Sequence, residues 1–343
     1  MNSSVRVGLI GAGRAGRIHG RAIAADVVGA ELVAVCDASH EVAEQSAREL
    51  GADLWATDYQ RLLEAPEVDA VVVVTPTRLH RDIVVEAAAR GKHVLCEKPM
   101  AITVAECEEM NAAAAAAGVR LQIGFMRRFD ASFRRAKEAI ESGAIGDVVV
   151  VKSHTRGPSV PHEWMYDLRA SNGPLAEVSS HDIDTLRWLT GSEAVTLQAF
   201  AGNFRSEAAR SEYPDFYDAV LMNVQLRSGA LGNIEGQQGV RYGYDAHVDV
   251  VGTHGSVQVG SLRGNSTVVS TADAGMRADI VPSWRDLFQQ AYVAQDQSFI
   301  DAIRAERDPE VTGEDGLRAV AMVAAGNESI RTGRRVALDA QED

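Results

Sequence analysis

The opening stretch constrains the fold more than any other part of the chain. Val5-Arg6-Val7-Gly8-Leu9-Ile10 has strand character and runs straight into Gly11-Ala12-Gly13-Arg14-Ala15-Gly16, after which residues 17 to 26 read as helix. A lone G-x-G-x-x-G is weak evidence. Between a strand and a helix it marks a backbone that cradles the phosphates of a dinucleotide. Gly11 allows the tight turn, Gly13 the close approach of the pyrophosphate, and Gly16 the packing of helix on strand. The helix start adds unpaired N–H groups and a positive dipole end. Ala12, Arg14 and Ala15 complete the cradle.

The alternation continues. Residues 31–36 form a second strand that ends in Asp37. An acidic side chain roughly 20 residues past the glycines receives the adenosine ribose hydroxyls and repels a 2′-phosphate, so NAD is favoured over NADP. The bland alternative is that Asp37 caps the next helix, and it could do both. His40 is the one basic neighbour that speaks for NADP. Helix 41–50, strand 54–57 and a short helix at 59–63 follow. Residues 68–74 are a β-branched run of the kind buried on both faces of a sheet. The run ends in Thr75-Pro76-Thr77, where the nicotinamide half belongs, and His80 opens the next helix. Strands alternating with helices predict a doubly wound parallel sheet over residues 1–123, with a second domain over 124–343. The length of 343 residues suits two domains.

Lys98 stands at a strand end, between His93-Val94-Leu95-Cys96 and a helix start in which Thr103 and Glu106 spell a capping box. Open parallel sheets bind ligands at that edge. Pro99 holds Lys98 extended, with the isomer of their peptide bond left open. Thr75, Pro76, His80, Glu97 and Lys98 join the expected cofactor contacts.

In the second half, Arg127 and Arg128 point different ways, and Arg128 is the one expected to face a substrate. Residues 155–173 read as a loop over a site. Residues 173–189 read as one helix, which puts Glu177, His181 and Asp184 at i, i+4 and i+7 on one face. Asp182 turns away from that face, as a solvated or structural carboxylate. A histidine is the natural base for a hydroxyl near neutral pH. Glu177 could orient it, and Asp184 could bind a second hydroxyl. From Thr196 the chain alternates as an antiparallel sheet, with strands that include 255–259 and 267–270, and one polar face. Tyr242 and Tyr244 interrupt it with two phenols suited to a polyol.

Composition excludes several alternatives. A net charge of −14 argues against a broad nucleic-acid or anionic-membrane surface. No run approaches the ~20 apolar residues of a membrane span. Cys36, Cys96 and Cys107 form no C-x-x-C pair, and so sparse a count fits a reducing cytoplasm. No zinc-site spacing occurs, so no metal is expected.

The chain resembles the glucose–fructose oxidoreductase/inositol dehydrogenase/MocA family nearly end to end. The resemblance rests on G-A-G-R-A-G-R-I-H, T-P-T-R-L-H, C-E-K-P-M-A, H-D-I-D-T-L-R-W-L, A-Y-V-A-Q-D-Q-S-F-I-D-A-I and S-I-R-T-G-R-R-V. Within the family, G-F-M-R-R-F-D and Y-G-Y-D look most like the inositol 2-dehydrogenases. The resemblance implies a Rossmann domain and an α/β domain with a large, mostly antiparallel open sheet, often buried in a homo-dimer or homo-tetramer. It implies NAD-linked oxidation of a ring hydroxyl of a cyclitol or sugar, with Lys98 as the family's catalytic lysine and His181 as the proton acceptor. Arg128, Asp184, Tyr242 and Tyr244 fall near positions that line the family's polyol site. Glu177 stands where inositol dehydrogenases usually carry aspartate. The rival readings are an NADP-linked keto-sugar reductase and a non-catalytic dinucleotide sensor.

Overall fold

The computed structural model describes residues 4–338. The chain divides into two compact units. One holds the described residues up to Phe129 together with Gln289–Val320, and the other holds Asp130–Phe288 together with those from Ala321. The expected division between 123 and 124 falls a few residues before the first change of unit. The return of 289–320 to the first unit has no counterpart in the sequence reading.

In chain order the first unit begins β1 (Val5–Ile10), α1 (Gly16–Ala25), β2 (Ala30–Cys36), α2 (His40–Leu50), β3 (Leu54–Ala56), α3 (Tyr59–Glu64), β4 (Ala70–Val73), α4 (His80–Ala89), β5 (His93–Glu97), α5 (Val104–Ala117) and β6 (Leu121–Gly124). The second unit runs α6 (Ala131–Glu141), β7 (Val148–Gly157), α7 (Leu168–Ser171), α8 (Gly173–Glu177), α9 (Ser180–Thr190), β8 (Ala194–Gly202), β9 (Ala219–Leu226), β10 (Leu231–Gln238), β11 (Asp245–Gly252), β12 (Ser256–Val259), β13 (Arg263–Thr271), β14 (Gly275–Ile280) and α10 (Trp284–Leu287). The chain then gives α11 (Gln289–Arg304) and the start of α12 (Gly313–Thr332) to the first unit, and β15 (Val336–Ala337) to the second.

The first sheet is parallel throughout, in the order β3-β2-β1-β4-β5-β6. That order reverses beside β1, so the strand ends of β1 and β4 form the switch point at which such sheets bind ligands. As the β-branched run predicted, β4 is buried along its whole length. Val7, Leu9, Val35, Val72 and Leu95 share one core with Phe299 and Ile300 of α11. That shared core explains why a segment so late in the chain belongs here. The capping box forms as read: Thr103 Oγ1 accepts from Glu106 N at 3.2 Å, and Glu106 Oε2 accepts from Thr103 N at 2.9 Å.

The second sheet has seven strands in the order β12-β11-β7-β10-β9-β8-β15, antiparallel except where β7 pairs with β10. Residues 267–270 are not part of it. They lie in β13, which pairs only with β14 in a separate ribbon. A strand reading Arg-Gly-Asn-Ser-Thr-Val-Val-Ser-Thr has no apolar face to lay on a core, and its side chains are nearly all exposed.

The expected helix 173–189 is broken. The N–H groups of Val178 and Ser179 both donate to Pro174 O, at 2.9 and 3.0 Å, which widens the turn and ends α8 at Glu177. The break seats Ser179 against Gly236 of β10, where a Cβ would lie 2.1 Å from Ser179 Oγ. Only a glycine in that strand allows so close an approach. Glu177 therefore shares no continuous helical face with His181 and Asp184. Asp182 is not solvated. It is fully buried and accepts from Ser153 Oγ at 2.6 Å and Thr155 Oγ1 at 2.7 Å, which pins α9 to β7. The 155–173 segment is more than a loop. It opens as the end of β7, contains α7, and packs Tyr166 on Phe216 and Tyr213.

Candidate active site

The three glycines of the opening motif differ in their surroundings. Gly11 has φ +96°, and a Cβ there would lie 2.6 Å from Val74 O. A Cβ on Gly16 would lie 1.9 Å from Gly11 O, so only hydrogen fits between turn and helix. A Cβ on Gly13 would meet nothing within 4 Å. That open side is where a phosphate can approach the backbone. No side chain caps the start of α1, and its first turn holds no acidic residue. The N–H groups of Arg17 and Ile18 donate to Gly13 O and Ala15 O at 3.0 and 2.9 Å, so what the start of α1 offers an anion is chiefly its positive dipole end. Asp37 stands at the rim, with Oδ2 accepting from Ala12 N at 2.9 Å and Oδ1 from Ser39 N at 3.0 Å. The cap of α2 is Ser39, not Asp37. His40 lies edge-on to Trp55, with ring centroids 4.7 Å apart.

Lys98 follows β5 directly and is half-buried, with a cis bond to Pro99. Two buried histidines organise its surroundings. The ring of His80 spans from Thr75 O, 2.8 Å from Nε2, to Pro99 O, 2.9 Å from Nδ1. Burial lowers its pKa, and the carbonyls of Thr75 and Pro99 work against that. Expected as a cofactor contact, His80 is 1% exposed and ties two strand-end turns together from beneath.

His19, on the inner face of α1, places Nδ1 2.8 Å from Asp296 Oδ1 on α11 and Nε2 3.1 Å from Glu97 Oε1. Glu97 Oε2 in turn accepts the backbone N–H of Lys98 at 3.1 Å. Burial alone would lower the pKa of His19. The Asp296 carboxylate, by charge and hydrogen bond, and then Glu97 more than reverse this and raise it to about 10. His19 is therefore held as an imidazolium against Asp296 and Glu97, although burial raises the pKa of the Asp296 carboxyl in turn. Sequence reading missed this chain because its ends lie 277 residues apart. The signal present was a histidine at the inward position of a helix otherwise lined by Gly16, Gly20, Ala22 and Ile23.

In the second unit α9 carries His181 and Asp184 three residues apart, 6% and 1% exposed. Arg187 on the same helix places Nη1 3.9 Å from Asp184 Oδ1 and donates to Glu193 from Nε and Nη2 at 2.7 and 2.6 Å. Glu177 is half-buried at the end of α8. Tyr244 is buried edge-on to Phe288 at 6.3 Å, whereas Tyr242 is 43% exposed. Arg128, expected to face a substrate, donates from Nη2 to Asp315 Oδ1 at 2.7 Å within the first unit. The three cysteines are buried thiols. Burial pushes Cys36 and Cys107 up to about 12 and raises Cys96 as well.

Residues 5–125 match the oxidoreductase family's NAD-binding Rossmann fold, and residues 137–338 match its C-terminal alpha/beta domain. The chain belongs to the Gfo/Idh/MocA oxidoreductase family. It is 35% identical to the scyllo-inositol 2-dehydrogenase (NAD(+)) of Bacillus subtilis, covering 99% of this chain and 98% of that one. It is 32% identical to the myo-inositol 2-dehydrogenase of Thermotoga maritima, over 98% and 99%. Among solved structures, scyllo-inositol dehydrogenase from Lactobacillus casei with bound NAD(H) and scyllo-inositol is similar at a TM-score of 0.89 and 25% identity, covering 98% of this chain and 99% of that one.

For a Gfo/Idh/MocA chain the glycine turn fits its cofactor, NAD. Gly13 leaves the backbone open, the start of α1 is uncapped, and Asp37 sets a negative charge at the rim.

Proposed function

We propose that this protein oxidises a ring hydroxyl of a cyclitol or sugar to a ketone, with Lys98 polarising the hydroxyl and His181 taking its proton. NAD, when bound, accepts the hydride. The observation that carries this reading is the setting of Lys98: it leaves the parallel sheet at its ligand-binding edge, and its backbone is held by Glu97, His19 and Asp296. In this reading Gly11 to Gly16 take the pyrophosphate, Asp37 takes the ribose hydroxyls, and Thr75, Pro76 and Glu97 shape the nicotinamide end above His80. Asp184 and Tyr242 contact further hydroxyls. The inositol dehydrogenases among its relatives support a cyclitol. Glu177 and the 155–173 segment are where the substrate choice of this chain departs from theirs.

The same reading includes association with a second copy. The open face of the second sheet carries Leu221, Leu231 and Phe200, which are 50%, 53% and 60% exposed, and Phe200 pairs across strands with Leu221. Apolar side chains gathered on one sheet face mark an interaction surface. We propose a homo-dimer or homo-tetramer through it. Light scattering of Leu221→Glu/Leu231→Glu should then show a smaller species than wild type.

The deciding experiment follows NAD reduction with a panel of inositols, hexoses, their L forms and anhydro-sugars, repeated with NADP. Turnover with NAD is expected, and both Lys98→Ala and His181→Ala should lose about 100-fold or more. Full turnover by Lys98→Ala would overturn the mechanism. Tight NADH binding with no turnover across the panel would favour a sensor instead.

A further inference from the structure

We propose that His154, Asp245 and His247 form a binding site for one divalent ion of the zinc class on the open face of the second sheet. The argument begins with register. His154 on β7 lies directly across from His247 on β11, and Asp245 lies two residues before His247. Period-two alternation turns all three to one face. One ligand atom from each lies within 4.8 Å of the others. The two imidazole centroids are 5.0 Å apart.

Both imidazoles converge on one carboxylate oxygen. Asp245 Oδ1 accepts a hydrogen bond from His247 Nδ1 and lies 3.2 Å from His154 Nε2. Tetrahedral zinc with bonds near 2.0–2.1 Å separates its ligands by about 3.3 Å. Nε2 of His154 is sealed from water and, despite that 3.2 Å separation, makes no hydrogen bond. A buried polar atom left in this state calls for a missing partner, water or ion. Two imidazoles and a carboxylate suit zinc, nickel or copper over magnesium or calcium. The side chains of His154 and His247 are 22% and 31% exposed in the single chain.

The surroundings fit a ligated carboxylate. Arg156 Nη1 donates to Asp245 Oδ2 at 3.3 Å, which turns Oδ1 toward the imidazoles, as outer partners orient metal ligands. The positive charge of Arg156 would oppose an ion, but Glu235 neutralises it through two bonds at 2.6 and 2.7 Å. Sequence spacing gives no zinc motif here, because the three residues come from two paired strands.

The test uses the full chain without any polyhistidine tag, stripped with a chelator and titrated calorimetrically with Zn²⁺ and, separately, Ni²⁺. One equivalent per chain is expected. His154→Gln/His247→Gln should weaken uptake by at least about 100-fold, the upper end of the loss from an outer partner alone. Its thermal midpoint in chelator should match that of the wild type, which shows the sheet intact. No uptake by the wild type, or equal uptake by the double variant, would overturn the proposal. The readout is independent of turnover, so it stands apart from the proposed reaction.

Discussion

Two clusters in this molecule combine the same chemistry, imidazole with carboxylate, in opposite settings. In the first unit His19 lies between Asp296 and Glu97 with none of its surface exposed. In the second, His154 and His247 face Asp245 and keep part of their surface in water. Burial decides what each can do. The sealed cluster is locked: its imidazole cannot reach a ligand, and it acts by holding the backbone of Lys98 through Glu97. The open one is held less tightly, with His154 Nε2 3.2 Å from Asp245 Oδ1 but outside hydrogen-bond geometry.

The sharpest way to break the comparison is to cut the sealed cluster. His19→Ala leaves two buried carboxylates without their cation, and removing one partner of a buried pair costs about 3–5 kcal/mol. Denaturant melts should show a loss of that size. A loss under 1 kcal/mol would mean that the carboxylates find water or protons easily, and the cluster would not be sealed. His19→Gln should recover part of the stability. In any variant that folds, kcat should fall more than the affinity for NADH, because Lys98 is displaced while the glycine turn is untouched.

The next effect is a pH dependence. The pKa of His19 is about 10 in the folded protein, against an ordinary value near 6.5. A raised folded pKa contributes stability that is complete below the unfolded value and is lost as pH rises through the folded one. The difference in stability between wild type and His19→Gln should therefore be greatest below about pH 6.5 and shrink toward pH 10. A flat difference over that window would show that His19 is neutral. Asp245 runs the opposite way. Burial pushes its pKa up, but the two histidines win and lower it, so its contribution is present above the ordinary carboxylate value and is lost in acid.

Features that a short stretch of chain dictates were legible in the sequence. The glycine turn, the strand buried on both faces, the capping box at Thr103 and the strand-end position of Lys98 all stand as read. Features that depend on a distant partner were not. The break before α9 exists because Gly236, far along the chain, admits Ser179. His19 reads as one polar residue in a helix until Asp296 arrives from α11. Asp245 and His247 show their shared face through spacing alone, but only strand pairing brings His154 across from them. Asp182 reads in the sequence as either a solvated or a structural carboxylate, and only Ser153 and Thr155 of β7 decide for the second.

The smallest effect sharpens the comparison from the open side. His247→Gln removes one edge of a cluster whose ring is about a third exposed. Asp245 is buried but keeps Arg156 and His154 as partners, and the partly exposed His247 itself contributes about 1 kcal/mol or less. In chelator this variant should therefore melt within about 1 kcal/mol of the wild type, several-fold less than the His19→Ala loss. With zinc present the gap should widen, because only the wild type gains the stabilisation that ligand binding confers on a folded state. An unchanged gap in zinc would reduce the open cluster to a surface ion pair. A large loss already in chelator would show that the cluster is closed after all, and the two clusters would then be of one kind.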